Sequence, residues 1–419
     1  MAATEKNSLL TALFLALFFT FALMEVPAEA EYSASASLRV REEYTDNVDL
    51  TSTDKKSEYI TTINPDIRLD YKGKITSLLL NAGLNYYYYA NDSQGDHLNF
   101  YGGLDSRTQV YKDIFFLNIF DQYSRVTIDQ RRPVTQENVT VNLTDSNTLR
   151  ANPYILYPLG STLKARVDYL YTNQWYSSNQ GHNYQDHTFS GSLIKELSAS
   201  TSTFVTYSYD MHRYSGISNS SISDYDRQTG NYGIKFEKTR LLVEGSVGYT
   251  WFDFTDGRKT NDIVWNAAVQ YKITELLSLR GESSQDFTDS VDAGPVRRLT
   301  GRGVIAYGGQ FPVSVAVFNT RDTYLLSDRT DHSTGAIATG SIPFSSKMTG
   351  NIFANYTRFK FQPEDERVDR YGVGFSLAYA IRKATLSAGY TYNRNDSNID
   401  QNDYTNNVIW LQIRVVYDI

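Results

Sequence analysis

The 419-residue sequence has no cysteine, only 9 prolines, and 4 each of tryptophan and methionine. Without cysteine there is no disulfide framework, no thiolate metal site, no covalent c-type haem and no lipidated N-terminal cysteine. There is no excess of positive charge either. Forty Lys and Arg against 47 Asp and Glu give a net charge of −7, spread along the chain, which argues against a nucleic-acid partner. Long apolar runs are missing but for one, and a mean hydropathy of −0.42 excludes a bundle of membrane helices. Phosphate loops, glycine-rich dinucleotide motifs and recognisable acid/base pairs are also missing. The five histidines (His97, His182, His187, His212 and His332) fall almost all at loop edges. We therefore expect no enzymatic activity, no metal and no cofactor.

The single apolar run, Leu9 to Met24, follows Lys6 and precedes the small-x-small site Ala28-Glu29-Ala30. This is the layout of a secretory signal peptide, residues 1–30, removed to leave one domain, 31–419.

What the mature chain has in abundance is tyrosine, 33 against 21 phenylalanines. A soluble core favours Leu, Ile and Val. A tyrosine excess suits a wall with one greasy face, one wet face and two interfacial girdles. The pattern agrees. Leu78, Leu80, Ala82, Leu84, Tyr86 and Tyr88 alternate with polar or small residues. So do Leu241, Val243, Gly245, Val247, Tyr249 and Trp251, and likewise Tyr371, Val373, Phe375, Leu377, Tyr379 and Ile381. Period two is the signature of a strand. These runs of about ten to fourteen residues match a tilted crossing of the bilayer, which needs about 9–11. The stretch from Ile114 to Val126 is ambiguous in parity.

Tight connections such as Lys72-Gly73-Lys74, Lys112-Asp113 and Arg382-Lys383 alternate with longer polar ones, among them Asp46 to Lys56, Thr127 to Ser146 and Thr288 to Gly294. Short turns on one side and long loops on the other are the asymmetry of a bacterial outer-membrane barrel. The reading is an all-β, transmembrane, antiparallel up-and-down β-barrel of about 20 strands (18–22). Its short turns are periplasmic and its longer loops extracellular, in the outer membrane of a Gram-negative-type bacterium. Even parity puts both termini in the periplasm.

Such a barrel must close, because backbone groups in hydrocarbon have no water to pair with. The last stretch supplies the closing strand. Ile409, Leu411, Ile413, Val415, Tyr417 and Ile419 form its outward face, and the outer-membrane insertion machinery would read it. Its partner is the first strand, with Ala34, Ala36, Leu38 and Val40 outward and Arg39 and Arg41 inward beside Arg414. Glu43 and Asp418 are the expected neutralisers.

A barrel this wide leaves a lumen. The third outer loop carries Asp129, Arg131, Arg132, Glu137 and Asp145 and is read either as folding inward to make a pore constriction or as an exposed surface loop. Arg280, Arg298 and Arg302 on adjacent strands make either a basic lumen patch attracting anionic solutes or an ion-pair ladder with Glu282 and Asp286. The inward aromatics Tyr87, Tyr89, Tyr101 and Phe353 are read either as a slide for sugar rings or as parts of the interfacial girdles.

The first hairpin carries distinctive text: Tyr44-Thr45-Asp46-Asn47-Val48, then Ser57-Glu58-Tyr59-Ile60-Thr61-Thr62-Ile63-Asn64-Pro65. It resembles the outer-membrane β-barrel porins found with exosortase (PEP-CTERM) sorting and exopolysaccharide systems, which open with a Tyr-x-Asp-Asn-Val strand end and a Ser-Asp/Glu-x-Ile-Thr-x-x-x-Pro strand. The resemblance implies an envelope role near exopolysaccharide export or assembly, with polysaccharide or periplasmic export proteins as partners besides membrane lipid. It carries no catalytic residues. Two other readings stay open: a general diffusion porin for small solutes, and a sheath around an electron-transfer protein.

Overall fold

The computed structural model describes residues 31–129, 131, 142–215 and 222–419. The expected signal peptide, residues 1–30, lies outside them. Twenty strands follow in order: β1 (Glu31–Thr45), β2 (Glu58–Lys72), β3 (Thr76–Tyr89), β4 (His97–Tyr111), β5 (Phe115–Thr127), β6 (Leu143–Pro158), β7 (Leu163–Tyr176), β8 (Asn183–Ser198), β9 (Thr201–Ser215) and β10 (Tyr225–Lys238). The second half comprises β11 (Leu241–Phe254), β12 (Lys259–Lys272), β13 (Leu277–Ser290), β14 (Gly294–Tyr307), β15 (Val313–Tyr324), β16 (Thr330–Pro343), β17 (Met348–Gln362), β18 (Glu366–Ile381), β19 (Ala384–Ser397) and β20 (Tyr404–Asp418). Each pairs antiparallel with the next, and β1 pairs with β20, so the sheet closes on itself. With strands ~4.8 Å apart and tilted ~40°, the backbone cylinder is about 40 Å across.

The strands run to 12–16 residues, longer than the alternating runs alone predict. The excess lies at the extracellular end, where polar residues continue the ladders past the bilayer. Along the middle, alternate side chains such as Val167, Phe189, Val205, Val317 and Phe375 are exposed on the outside. In water such a surface would aggregate; in lipid it is the solvated one. Tyr111, Tyr157, Tyr271, Tyr307, Tyr379 and Tyr417 stand exposed near the periplasmic ends of their strands, while Tyr59, Tyr88, Phe100 and Trp251 stand near the other end. These are the two girdles.

The register settles the parity of β5. Phe115 faces Ile155, which is exposed on the lipid side, and Phe116 faces Tyr154 in the lumen.

At the closing seam Leu38 pairs with Val415 and Val40 with Ile413 on the lipid face, while Arg39 faces Arg414 directly. Two like charges opposite one another are unfavourable, and their partners differ from expectation. Arg41 does take Glu43. Arg39 reaches Asn85, and Arg414 meets Ser37 and, at 3.9 Å, Asp66 of β2. Asp66, not Asp418, balances the seam, because Asp418 sits at the open periplasmic end while Asp66 faces Ser37 in the ladder.

Candidate functional site: the extracellular mouth

Of the twenty seams, two are cut short. The β4–β5 ladder stops at Gly102–Tyr123, although both strands continue beyond it. The β12–β13 ladder stops at Trp265–Gln285, leaving the upper end of β12 unpaired with β13. In both places the following hairpin stays fully laddered within itself, β5 to β6 and β13 to β14. Each hairpin therefore parts from the strand before it at its extracellular half while staying laddered to the strand after it, β6 to β7 and β14 to β15.

What draws them away is apolar cover for the inner wall. Leu143 shares a strand face with the lipid-exposed Ile155. It nonetheless packs on Val48, Ile60, Tyr87 and Tyr89, of which Ile60 and Tyr89 are almost fully buried. Phe287 shares a face with the exposed Leu279, yet its ring lies 4.6 Å from that of Phe252 on the inner side of β11. Asp289 follows on the same face and accepts hydrogen bonds from the Tyr214 and Tyr225 hydroxyls at 2.5 and 3.2 Å. The outer faces of these hairpins thus lie against the inner wall of the strands before them. Burying rings such as Phe252 and Tyr225 is worth roughly 1.5–3 kcal/mol each, which offsets the ladder bonds given up.

The expected loop Thr288 to Gly294 is consequently a hairpin tip of three residues, 291–293, entered through Gly294 at φ +74°. Tyr87 and Tyr89 are corrected in the same way: they belong to the packed mouth, not to an open slide.

Among the described residues, one side chain joins the two hairpins. Arg329, between β15 and β16, donates to Asp331 at 2.7 Å, to Asp292 at the tip of β13–β14 at 3.0 Å, and to Asp129 just after β5 at 3.4 Å. Its guanidinium lies 4.2 Å from the centre of the Tyr324 ring. β5 and β15 stand ten strands apart in a ring of twenty, so Asp129 reaches across the full mouth. Arg131 extends the bridge: it donates to Asp129 and, at 3.0 Å, to Glu364 in the β17–β18 turn, while its carbonyl accepts from Arg370 of β18 at 2.9 Å. Burial works against the Asp129 carboxylate, but donation from Arg131 and the charge of Arg329 outweigh it and hold its pKa below the ordinary aspartate value. The Arg329 pKa is raised: burial opposes its charge, and Asp331 and Asp292 more than compensate.

Of the expected constriction residues, Asp129 and Arg131 thus stand in the bridge. Asp145 lies within β6 and takes Arg125 of β5 at 2.9 Å. Arg132 and Glu137 lie outside the described residues. The sequence reading missed Arg329, Asp292, Asp289 and the aromatic anchors. A signal for the last was present: Tyr86 to Tyr89 and Trp251-Phe252-Asp253-Phe254 put rings on both faces of a strand end, which a bare wet lumen does not need.

The three arginines read as a basic patch are not brought together. Arg280 and Arg302 share a cavity with Glu244 and Glu282, two charges of each sign. Arg280 is bonded to Glu282, and Arg302 faces Glu282 across the β13–β14 ladder. Arg298 is held by both oxygens of Asp322 at 2.8 and 2.7 Å, not by Asp286. His182 is hydrogen bonded to the Asp292 carbonyl at 2.9 Å, and His187 to the Tyr169 hydroxyl on the outer face.

The barrel is similar to solved outer-membrane structures. The siderophore receptor PirA from Pseudomonas aeruginosa superposes with a TM-score of 0.50 at 10% identity, over 94% of this chain and 81% of that one. The ferric citrate transporter FecA in its unliganded form gives the same score and identity, over 94% and 79%. At such identities the likeness is one of fold. No curated protein matches the chain in sequence. A family model described as "Putative beta-barrel porin 2" matches residues 31–299 and 340–417.

Proposed function

The chain belongs to the Putative beta-barrel porin 2 family of outer-membrane barrels, and on that footing we propose that it is a passive, non-enzymatic conduit serving exopolysaccharide export or assembly. The observation that carries a gated conduit is the Arg329 bridge. Two inward hairpins are held by ion pairs from a third segment, so the mouth can open by exchanging those bonds for water without disturbing the ladders below. The polymer role is supported by the first-hairpin resemblance and by a lumen that mixes cations, carboxylates and rings.

The barrel residues then divide their work. Outward rings and aliphatics fix the barrel in lipid. The lower lumen offers a wet path, and the two hairpins set its width at the top.

Deletion in the native organism tests the proposal. Loss of surface polysaccharide with normal uptake of small solutes supports it. Intact polysaccharide with impaired uptake replaces it with a diffusion porin. Co-purification with a stoichiometric haem protein filling the lumen would replace it with the sheath.

A further inference from the structure

At the opposite end of the lumen, beside the periplasmic turn after β2, lies a cavity of about 660 Å³ walled by β3 to β6. Three rings line it: Phe116, Phe120 and Tyr154. Phe116 and Tyr154 are cross-strand partners whose rings stack 4.9 Å apart at 11°. The Arg166 guanidinium lies over the Tyr154 ring, 4.2 Å from its centre. Arg166 is itself held by both oxygens of Asp168 at 3.0 and 2.9 Å. A neutralised arginine therefore packs against the stack.

The charge around these rings is unbalanced. Lys74, Arg107 and Arg150 line the cavity with Asp105 as the one carboxylate. Asp105 is 3.6 Å from Arg107, and both are largely exposed. Among the described residues Arg150 has no carboxylate partner and lies 5.7 Å from the Phe120 ring centre. Asn118, on the same wall, makes no side-chain hydrogen bond among the described residues, while the Asn152 amide is spent on the Tyr169 carbonyl at 3.1 Å. Elsewhere, the cavity with Arg280 and Arg302 balances its two cations with two carboxylates, Glu244 and Glu282.

Flat rings, a free amide and unpaired guanidinium together match one kind of ligand. The C–H face of a pyranose is apolar and gains by covering an aromatic face. Its hydroxyls match an amide, and a carboxylate on the ring matches arginine, which binds it by paired charge-assisted bonds. We infer that this cavity is an entry subsite for an acidic sugar ring, the first wall that a polymer rising from the periplasm meets. The inference rests on the conduit reading for its biological sense, but its chemistry is separable from it.

Calorimetry on the refolded full chain in detergent tests it with trigalacturonate and maltotriose. Trigalacturonate is expected to bind at least tenfold more tightly. Arg150→Gln should remove that preference and leave maltotriose unchanged; Phe116→Ala should weaken both sugars tenfold or more. Lys74→Ala, on an exposed turn, gives a variant that cannot disturb the sheet and should lower trigalacturonate affinity severalfold. Equal affinity of the wild type for the two sugars, or variants that bind as the wild type does, would overturn the subsite. Binding as expected in a strain whose export does not depend on the chain would sink the conduit reading alone; export that depends on the chain without any binding would sink the subsite alone.

Discussion

Asp46 accepts the backbone N–H and the side-chain amide of Asn407 at 2.7 and 2.6 Å, joining residues 361 positions apart. The neighbouring Asn47 is fully buried and donates to the Thr405 and Thr51 carbonyls at 3.0 and 2.8 Å. Glu58, equally buried, accepts from the backbone N–H groups of Tyr59, Asn91 and Ser93. The distinctive text of the first hairpin is thus a clasp. It ties the first strand to the last and fixes the first two loops.

Asp46→Ala should therefore loosen the seam. Two charge-assisted bonds at a partly buried site are worth about 1–3 kcal/mol each before relaxation. The temperature at which the folded band disappears in heat-modifiability gels should fall, with the barrel still assembled. An unchanged temperature would mean that the clasp contributes nothing.

Arg329→Ala removes the one side chain shared by Asp129, Asp292 and Asp331. In planar bilayers the variant should show higher mean conductance and more frequent full openings than the wild type. Asp145→Ala, which breaks the Arg125 pair and leaves the bridge itself in place, should conduct as the wild type does.

The same bridge has a defined pH dependence. The Asp129 pKa is depressed in the folded protein, so its contribution is complete above the ordinary aspartate value of 3.8 and is lost as pH falls through the lower folded value. Conductance should stay level from neutrality down to about that value and rise only below it. Arg329 and Arg131 keep their charge throughout. A rise centred near neutral pH would assign the gate to another group.

The lipid and lumen faces of the closing strand can be separated by one substitution each. Ile413 is exposed outside and Gln412 faces the lumen. A lysine near the bilayer midplane costs about 2–4 kcal/mol on the lipid face. Ile413→Lys should reduce assembled barrel in the outer membrane, and Gln412→Lys should not. Equal yields would reverse the parity.

Cysteine pairs can map the cut seams against a background free of native cysteine. Val269 faces Gly281 within the β12–β13 ladder, and cysteines there should cross-link on mild oxidation. Ile263 and Phe287 would be partners two steps above the last pair, had the ladder continued. Cysteines at these positions should stay reduced. Ready oxidation of the second pair would mean that β13–β14 stands in the wall.

Period-two alternation and the long/short rhythm of connections made the barrel, its closure and most strand parities legible in the sequence. Each is a local pattern repeated many times. The mouth was not legible to the same degree, and Asp289 shows why. Its alternation assigns it to the outer face, and only the parting of β13 from β12 lets that face turn towards Tyr214 and Tyr225. Arg329 sits in an ordinary polar loop, and its partners come from 37 and 200 positions away. The cavity with Arg150 was hidden by the ambiguous parity of β5, which left open whether Phe116 and Phe120 share its wall.

The two shortened ladders also make the barrel elastically uneven. A cylinder laddered along its whole height resists shear equally all round. Here the lower half is a closed hoop and the upper half is a hoop with two slits, the one beside β12 bridged by side chains, Arg297 on Asp262 and Gln285 on the Ile263 carbonyl. Load applied to the upper rim is expected to part the wall at these slits before any other seam. Force spectroscopy on single barrels would register that as early, small extensions of β5–β6 and β13–β14 ahead of strand-by-strand unravelling.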